Sequence, residues 1–368
     1  MRHWIVAAGL CWAVSGSVPG AVGPAVADTN LQAITRGMIE GHILPSYAAL
    51  IDAAGAQQMA VDALCEAPSQ TALDEVRTAC SDLVIAWSAV EFIRFGPARE
   101  DNRFEKLFFW PDRTGRGLGQ VQGAIANADP TVTERDSLQG KSVALQGLMA
   151  LDFTLFGTGS EALATDDETA THRCAYAEAI AAAIASTSEA VLNDWSGNDG
   201  YAALMLSPGP ENPIYRTEGE SLQELLRSMS EQLQIMHDAK IVRVAGEALA
   251  DARYRRAPFW RSGQTLPTII ANAEAMLALN EAGQFADLLP EQSQRFAGTA
   301  RFELRQVVSR LQALEESGDT LETLLAGEDT HGRYAGAALP LSGALRIIGD
   351  VYPAELGLTI GFNSLDGD

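Results

Sequence analysis

Residues 72–92, ALDEVRTACSDLVIAWSAVEF, decide the fold. Leu73, Val76, Cys80, Leu83, Trp87 and Val90 recur at alternating steps of three and four, so they share one stripe of an α-helix. A stripe with that spacing is the seam of a helical bundle. Thr71 with Asp74 reads as a capping box that opens the helix. The same patterning recurs on either side of it. Pro45–Cys65 carries Tyr47, Leu50, Ile51, Val61 and Leu64; a further helix is expected over Leu138–Phe156; and His172–Trp195 turns Tyr176, Ile180, Ile184, Val191 and Leu192 inward. Four helices on short or medium connections make one bundle.

The stretch 196–218, SGNDGYAALMLSPGPENPIYRTE, breaks this pattern with Gly, Pro, Ser and Asn and reads as a linker. Helical patterning then resumes through Leu222, Leu225, Leu226, Met229, Leu233 and Met236. It returns at Ile269–Leu277, again from Phe296 to Leu314, and in a shorter piece at Leu341–Ile348. The expectation is an all-α protein of two helical bundles, residues 28–195 and 219–368, of a size that fits an old duplication.

Residues 1–27 read as a secretory signal. Arg2 supplies the positive end, Trp4–Val14 a short apolar core, and Ala25-Val26-Ala27 a cleavage site before Asp28. The apolar run is too short to span a bilayer, and no later segment is apolar enough to do so. With 26 basic against 48 acidic residues the chain carries a formal charge of −22, which argues against nucleic acid and against anionic membrane surfaces.

Beyond the signal the cysteines are Cys65, Cys80 and Cys174. An oxidising compartment favours one disulfide. In an up-down-up-down bundle Cys65 ends the first helix and Cys174 begins the fourth, at the same end, so these two are the expected pair. Such a bond closes a loop of about 110 residues and contributes roughly 4–5 kcal/mol by chain-entropy reasoning. Cys80, on the apolar seam, is expected to stay a buried thiol.

The segment with chemical interest is 142–159, SVALQGLMALDFTLFGTG. On a helix, Met149 and Asp152 lie three apart on one face. A thioether suits soft ions better than zinc-like or iron-like ones, and Met on such a face is more often core filler than ligand. Asp152, between Leu151 and Phe153, needs a partner, because an unpaired buried charge costs several kcal/mol. Arg94, beside Glu91, is the expected one. Loss of that pairing through Asp152→Asn would then destabilise by about 1–3 kcal/mol. His42, in a loop just before Pro45, is the best substitute ligand. The candidate remnant metal set is therefore Asp152, Met149, His42 and Glu91. His331, in the polar stretch GEDTHGRYAG, is a lesser candidate. There is no H-E-x-x-H, no nucleophile elbow, and no strand before the Gly-rich GRGLGQ at 115–120, so no catalytic residue is assigned.

Several segments together carry a family resemblance: ILPSYAALIDAA (43–54), AWSAVEFIRFGPARE (86–100), NRFEKLFFWPDRTGRGLGQVQ (102–122), SVALQGLMALDFTLFG (142–157) and PAELGLTIGFNSLDGD (353–368). They resemble the imelysin family of bacterial envelope proteins. The family's G-x-H-x-x-E motif reads here Gly147-Leu148-Met149-Ala150-Leu151-Asp152. The resemblance implies a two-bundle all-α fold, an envelope location and association with iron-uptake partner proteins, with a divalent metal or iron as the cofactor it suggests. It points first to a non-catalytic binding or accessory component. A metal-dependent hydrolase of the peptidase type is the alternative, since some imelysins are classed as metallopeptidases. A third reading is an acidic scaffold that docks an envelope partner.

Overall fold

The computed structural model describes residues 30–358; the expected signal stretch and the closing GFNSLDGD lie outside them. The described residues are helical with no strand. The main helices are α1 Leu31–Met38, α2 Leu44–Glu66, α3 Gln70–Ser88, α4 Arg116–Ala126, α5 Gly147–Phe156 and α6 Glu168–Trp195. They continue with α7 Tyr201–Leu206, α8 Glu218–Gln234, α9 Thr265–Ala282, α10 Gln294–Glu315, α11 Glu328–Ala335 and α12 Ala338–Arg346.

Helices α2, α3, α5 and α6 pack as the first bundle, with α2 between α3 and α6. The stripe Leu73, Val76, Cys80, Leu83 and Trp87 is buried along α3. Helices α8, α9, α10 and α12 form the second bundle. One continuous apolar core runs through both, from Ile34 to Leu356, and α3 packs directly on α9. The stretch 196–218 carries α7 and is tied down where Asn212 donates to the Leu204 and Ser207 carbonyls at 2.7 and 3.0 Å.

The first helical rod belongs to both halves. Its start, α1, packs on α8 and α9, and it continues through a π turn at Ile39–Ile43 into α2. Pro45 has no N–H to give to the preceding turn, and the wider π turn takes up the mismatch without ending the rod. This corrects the reading of His42 as a loop residue: it sits on that turn and is buried. A second π stretch, Ile235–Val242, extends α8. A third, Ile347–Val351, extends α12 just ahead of Pro353.

Three local expectations are corrected. Ser69, not Thr71, caps α3, its side chain accepting from the Ala72 N–H at 3.1 Å. The helix expected over 138–156 is broken into Arg135–Gln139, a short turn at Val143–Leu145, and α5. His331 lies on α11, not in a loop, with Nε2 3.0 Å from the Ala245 carbonyl. Cys65 and Cys174 are joined in a disulfide with Cα atoms 5.7 Å apart, and Cys80 is a buried free thiol.

Candidate functional site

Helix α5 is fixed at both ends. Gly147 opens it at φ +75°, and a Cβ there would collide with the Lys106 and Leu107 carbonyls, so only glycine fits. At the far end two arginines cap the closing carbonyls, of which Phe153 O also accepts the Gly157 N–H at 2.8 Å. Arg173 of α6 donates to the Thr154 and Phe153 oxygens at 2.9 and 3.2 Å, and Arg77 of α3 donates to Leu155 O at 3.0 Å. These contacts hold Met149 and Phe153 on the wall of a cleft of about 660 Å³.

The cleft lies between the two halves of the chain. Phe109, Trp110, Arg113, Leu118, Met149 and Phe153 are among the residues of one side; Arg243, Arg255, Arg256, Ala257, Trp260 and Arg261 form the other. Buried aromatic rings back its Trp110 wall. Phe108 stacks on Trp110 and on Phe259, at ring distances of 6.1 and 5.5 Å. Trp110 Nε1 donates across the seam to the Arg256 carbonyl at 3.2 Å. Buried Phe259 holds φ +55°, a strained value for a bulky residue, and this bend presents Trp260, Arg261 and Ser262.

Asp152 is buried just beneath the cleft. Neither of its carboxylate oxygens has a hydrogen bond of normal geometry. The groups that face it are Ser262, whose hydroxyl donates to Phe259 O at 3.1 Å, Arg261, and Cys80. Burial raises its pKa to about 6, with Ser262 and Arg261 pulling the other way. The same burial, aided by the Asp152 charge, pushes the Cys80 thiol up.

Arg94 is not the partner of Asp152. Helix α3 ends at Ser88 and the chain turns, which swings Glu91 and Arg94 toward the second bundle. There Glu91 accepts from Lys240 Nζ at 2.7 Å and from Asn272 Nδ2 at 3.1 Å. Lys240 also donates to Asn272 Oδ1 at 2.7 Å, and Asn272 donates to Ser88 O at 2.8 Å. Arg94 lies 3.5 Å from both Glu91 and Gln232, its guanidinium 4.2 Å above the Phe104 ring. Burial works to raise the Glu91 pKa, but the Lys240 and Arg94 charges outweigh it and hold the carboxyl below the usual range.

His42 is committed elsewhere. Its Nε2 lies 3.1 Å from the Ala89 carbonyl, and burial lowers its pKa, so the ring is neutral at pH 7. The structure thus disperses the candidate metal set. Met149 lines the cleft, Asp152 lies under it, Glu91 is ion-paired, and His42 is bonded to the backbone. Among the described residues no three of His, Cys, Asp and Glu converge as a metal site. A protein-held metal needs about three such ligands, so the donor set here does not fit one.

A family model described as Imelysin matches residues 43–346. The chain belongs to the imelysin family. Two solved structures share the fold. An imelysin-like protein from Psychrobacter arcticum 273-4 has a TM-score of 0.73 at 22% identity, over 91% of this chain and 97% of that one. An iron-regulated protein A precursor from Parabacteroides distasonis ATCC 8503 has a TM-score of 0.69 at 16% identity, over 91% and 96%. No curated protein matches. In this imelysin-family chain the side chain that reaches the cleft from the Gly147–Asp152 stretch is Met149, a thioether.

The arginines around this cleft escaped the sequence reading. Their signal was present in DARYRRAPFWRSG (251–263), which places four arginines in thirteen residues of a strongly acidic chain. Lys240 and Asn272 gave no such signal, because their partner Glu91 lies 149 and 181 residues away.

Proposed function

We propose that this protein is an exported, non-catalytic binding component of bacterial iron acquisition. The observation that carries the reading is the cleft between the bundles. Its lining has arginines, aromatic rings and Met149, and it includes no His, Cys or Ser. Its one carboxylate, Asp112, accepts from the Leu118 N–H, and its one hydroxyl, Thr158, has no base beside it in the lining. A space of this size, largely apolar with a few convergent polar groups, suits capture of a small molecule.

The link to iron is supported by the family resemblance and by the Parabacteroides relative, which is described as iron-regulated. Export is supported by the signal-like residues 1–27 and by the Cys65–Cys174 disulfide, which suits an oxidising compartment. The test pairs a deletion strain with purified mature protein. Slower growth of the deletion strain under iron starvation is expected, with no cleavage of denatured casein or peptide libraries by the protein. Chelator-sensitive cleavage would overturn the reading in favour of a peptidase, and growth indifferent to iron would remove the link to acquisition.

A further inference from the structure

The charge of the cleft is opposite to that of the chain. Arg113, Arg243, Arg255, Arg256 and Arg261 all line it, in a protein of formal charge −22. No carboxylate among the described residues lies within ion-pair distance of any of the five, although the chain forms ion pairs elsewhere. The single acid of the lining, Asp112, is already committed, accepting from the Leu118 N–H of α4 at 3.0 Å.

The guanidinium groups are arranged rather than merely crowded. Arg261 lies 4.3 Å from the Trp260 ring centre and 5.3 Å from that of Phe153. Arg255 lies 5.6 Å from Trp260 and 5.4 Å from Tyr254. Cation–π contact uses the face of a guanidinium and not its N–H edge, the edge that binds carboxylate or phosphate oxygens in pairs. Arg255 spends its Nε on the Tyr254 hydroxyl at 3.0 Å and Arg256 one Nη on the Arg243 carbonyl at 3.3 Å, which leaves their other N–H groups for a ligand. Phe109 and Trp110 face this basic wall from the other half of the chain.

We infer that the cleft binds a small organic polyanion, one with two or more carboxylate or phosphate groups on a flat unsaturated frame. The oxyanions take the arginine edges, and the frame lies along the Trp110 and Trp260 side. Asp152 beneath Arg261 and Glu322 near Arg255 offset part of this charge from a distance, but among the described residues none of the five cations has a direct ion pair. Gathered on one cleft they repel one another, and such a ligand supplies countercharge in contact. This inference deepens the binding-protein reading and rests on it.

The test is calorimetric titration of the mature protein, with tryptophan fluorescence as a second readout. The probes are benzene-1,2,4-tricarboxylate, citrate, ferric citrate, pyrophosphate and neutral benzamide. At least one polyanion is expected to bind with a dissociation constant in the micromolar range, weakening as salt rises. The aromatic tricarboxylate should quench tryptophan emission and benzamide should not bind. Arg261→Gln and Arg243→Gln should each weaken binding tenfold or more, whereas Arg346→Gln, on α12 outside the cleft, should leave it unchanged. Comparison of the carboxylate and pyrophosphate arms assigns the oxyanion, and the ferric citrate arm shows whether the anion arrives carrying iron. No polyanion binding at millimolar concentration would overturn the inference, as would binding indifferent to both cleft variants. Either result leaves the peptide-cleavage and iron-starvation tests standing. Conversely, cleavage inhibited by these anions would sink the non-catalytic reading and keep the polyanion site.

Discussion

Two carboxylates near the seam between the bundles, Glu91 and Asp152, are equally removed from water, and the protein treats them in opposite ways. Glu91 is met by Lys240, Asn272 and Arg94, contributed by both halves of the chain. Its charge is kept, and the network pins the end of α3 to the second bundle. Asp152 has no hydrogen bond of normal geometry and only Arg261 as a nearby cation, and burial raises it to about 6. Burial alone therefore does not decide a carboxylate's state. The opposite charges that reach it, and then the hydrogen-bond donors, decide. One acid is a structural pin, and the other is a titrating group beneath the cleft.

The comparison breaks most visibly at Lys240. Replacing it by Met keeps much of the volume but leaves Glu91 buried without its main counter-ion. Removing one partner of a buried pair costs about 3–5 kcal/mol. Lys240→Met is expected to lose that much in urea denaturation, and adding Glu91→Gln should recover part of it. A loss of under about 1 kcal/mol, the scale of an exposed pair, would mean that the Glu91 network does not bear on stability.

The contrast between the two acids also marks how far the sequence can be read. The seam on α3 follows from its spacing alone, because apolar periodicity reports a buried face wherever a helix exists. The remnant site was harder to read because its geometry depends on where helices stop. Residues 72–92 carry an apolar pattern through Val90, and Val90 is buried, yet the helix ends at Ser88. Those few residues redirect Glu91 and Arg94 from the Asp152 side to Lys240. Likewise the glycine opening α5 is required by the Lys106 and Leu107 carbonyls, an approach of backbone that no local pattern announces. Asp152 reads correctly as buried, but its neighbour Ser262 comes from a bend 110 residues away whose shape rests on strained Phe259.

Asp152→Asn sharpens the comparison and reverses the expectation drawn from sequence. A carboxyl whose folded pKa of about 6 exceeds the unfolded value, near 3.8, favours the folded state when protonated. That contribution is fully present below about pH 4 and is lost as pH rises through 6. Wild type and Asp152→Asn should therefore be similar in stability near pH 4. At pH 8 the Asn variant should be the more stable, by on the order of 1–3 kcal/mol at roughly 1.4 kcal/mol per pKa unit. Denaturation measured across this pH range checks it. An Asn variant less stable than wild type at pH 8 would show that Asp152 has a partner of the kind Glu91 has.

The smallest effect is expected at Ser262, the nearest thing Asp152 has to a donor. Its hydroxyl holds the bend by donating to Phe259 O at 3.1 Å, and its position beside the carboxyl works to lower the Asp152 pKa. Ser262→Ala removes the hydroxyl from both places, while the Ser262 backbone and Arg261 still act on the carboxyl. The general loss should be about 1 kcal/mol or less, as for one ordinary hydrogen bond. Its signature lies in the pH dependence. With the hydroxyl's share of the opposing pull gone, the folded pKa of Asp152 rises further, so the stability tied to its protonated form persists to higher pH before it fades. The midpoint of that loss should move upward in Ser262→Ala and be absent when Asp152→Asn is added. A uniform loss at every pH, with the midpoint unmoved, would assign the Ser262 hydroxyl to the bend alone.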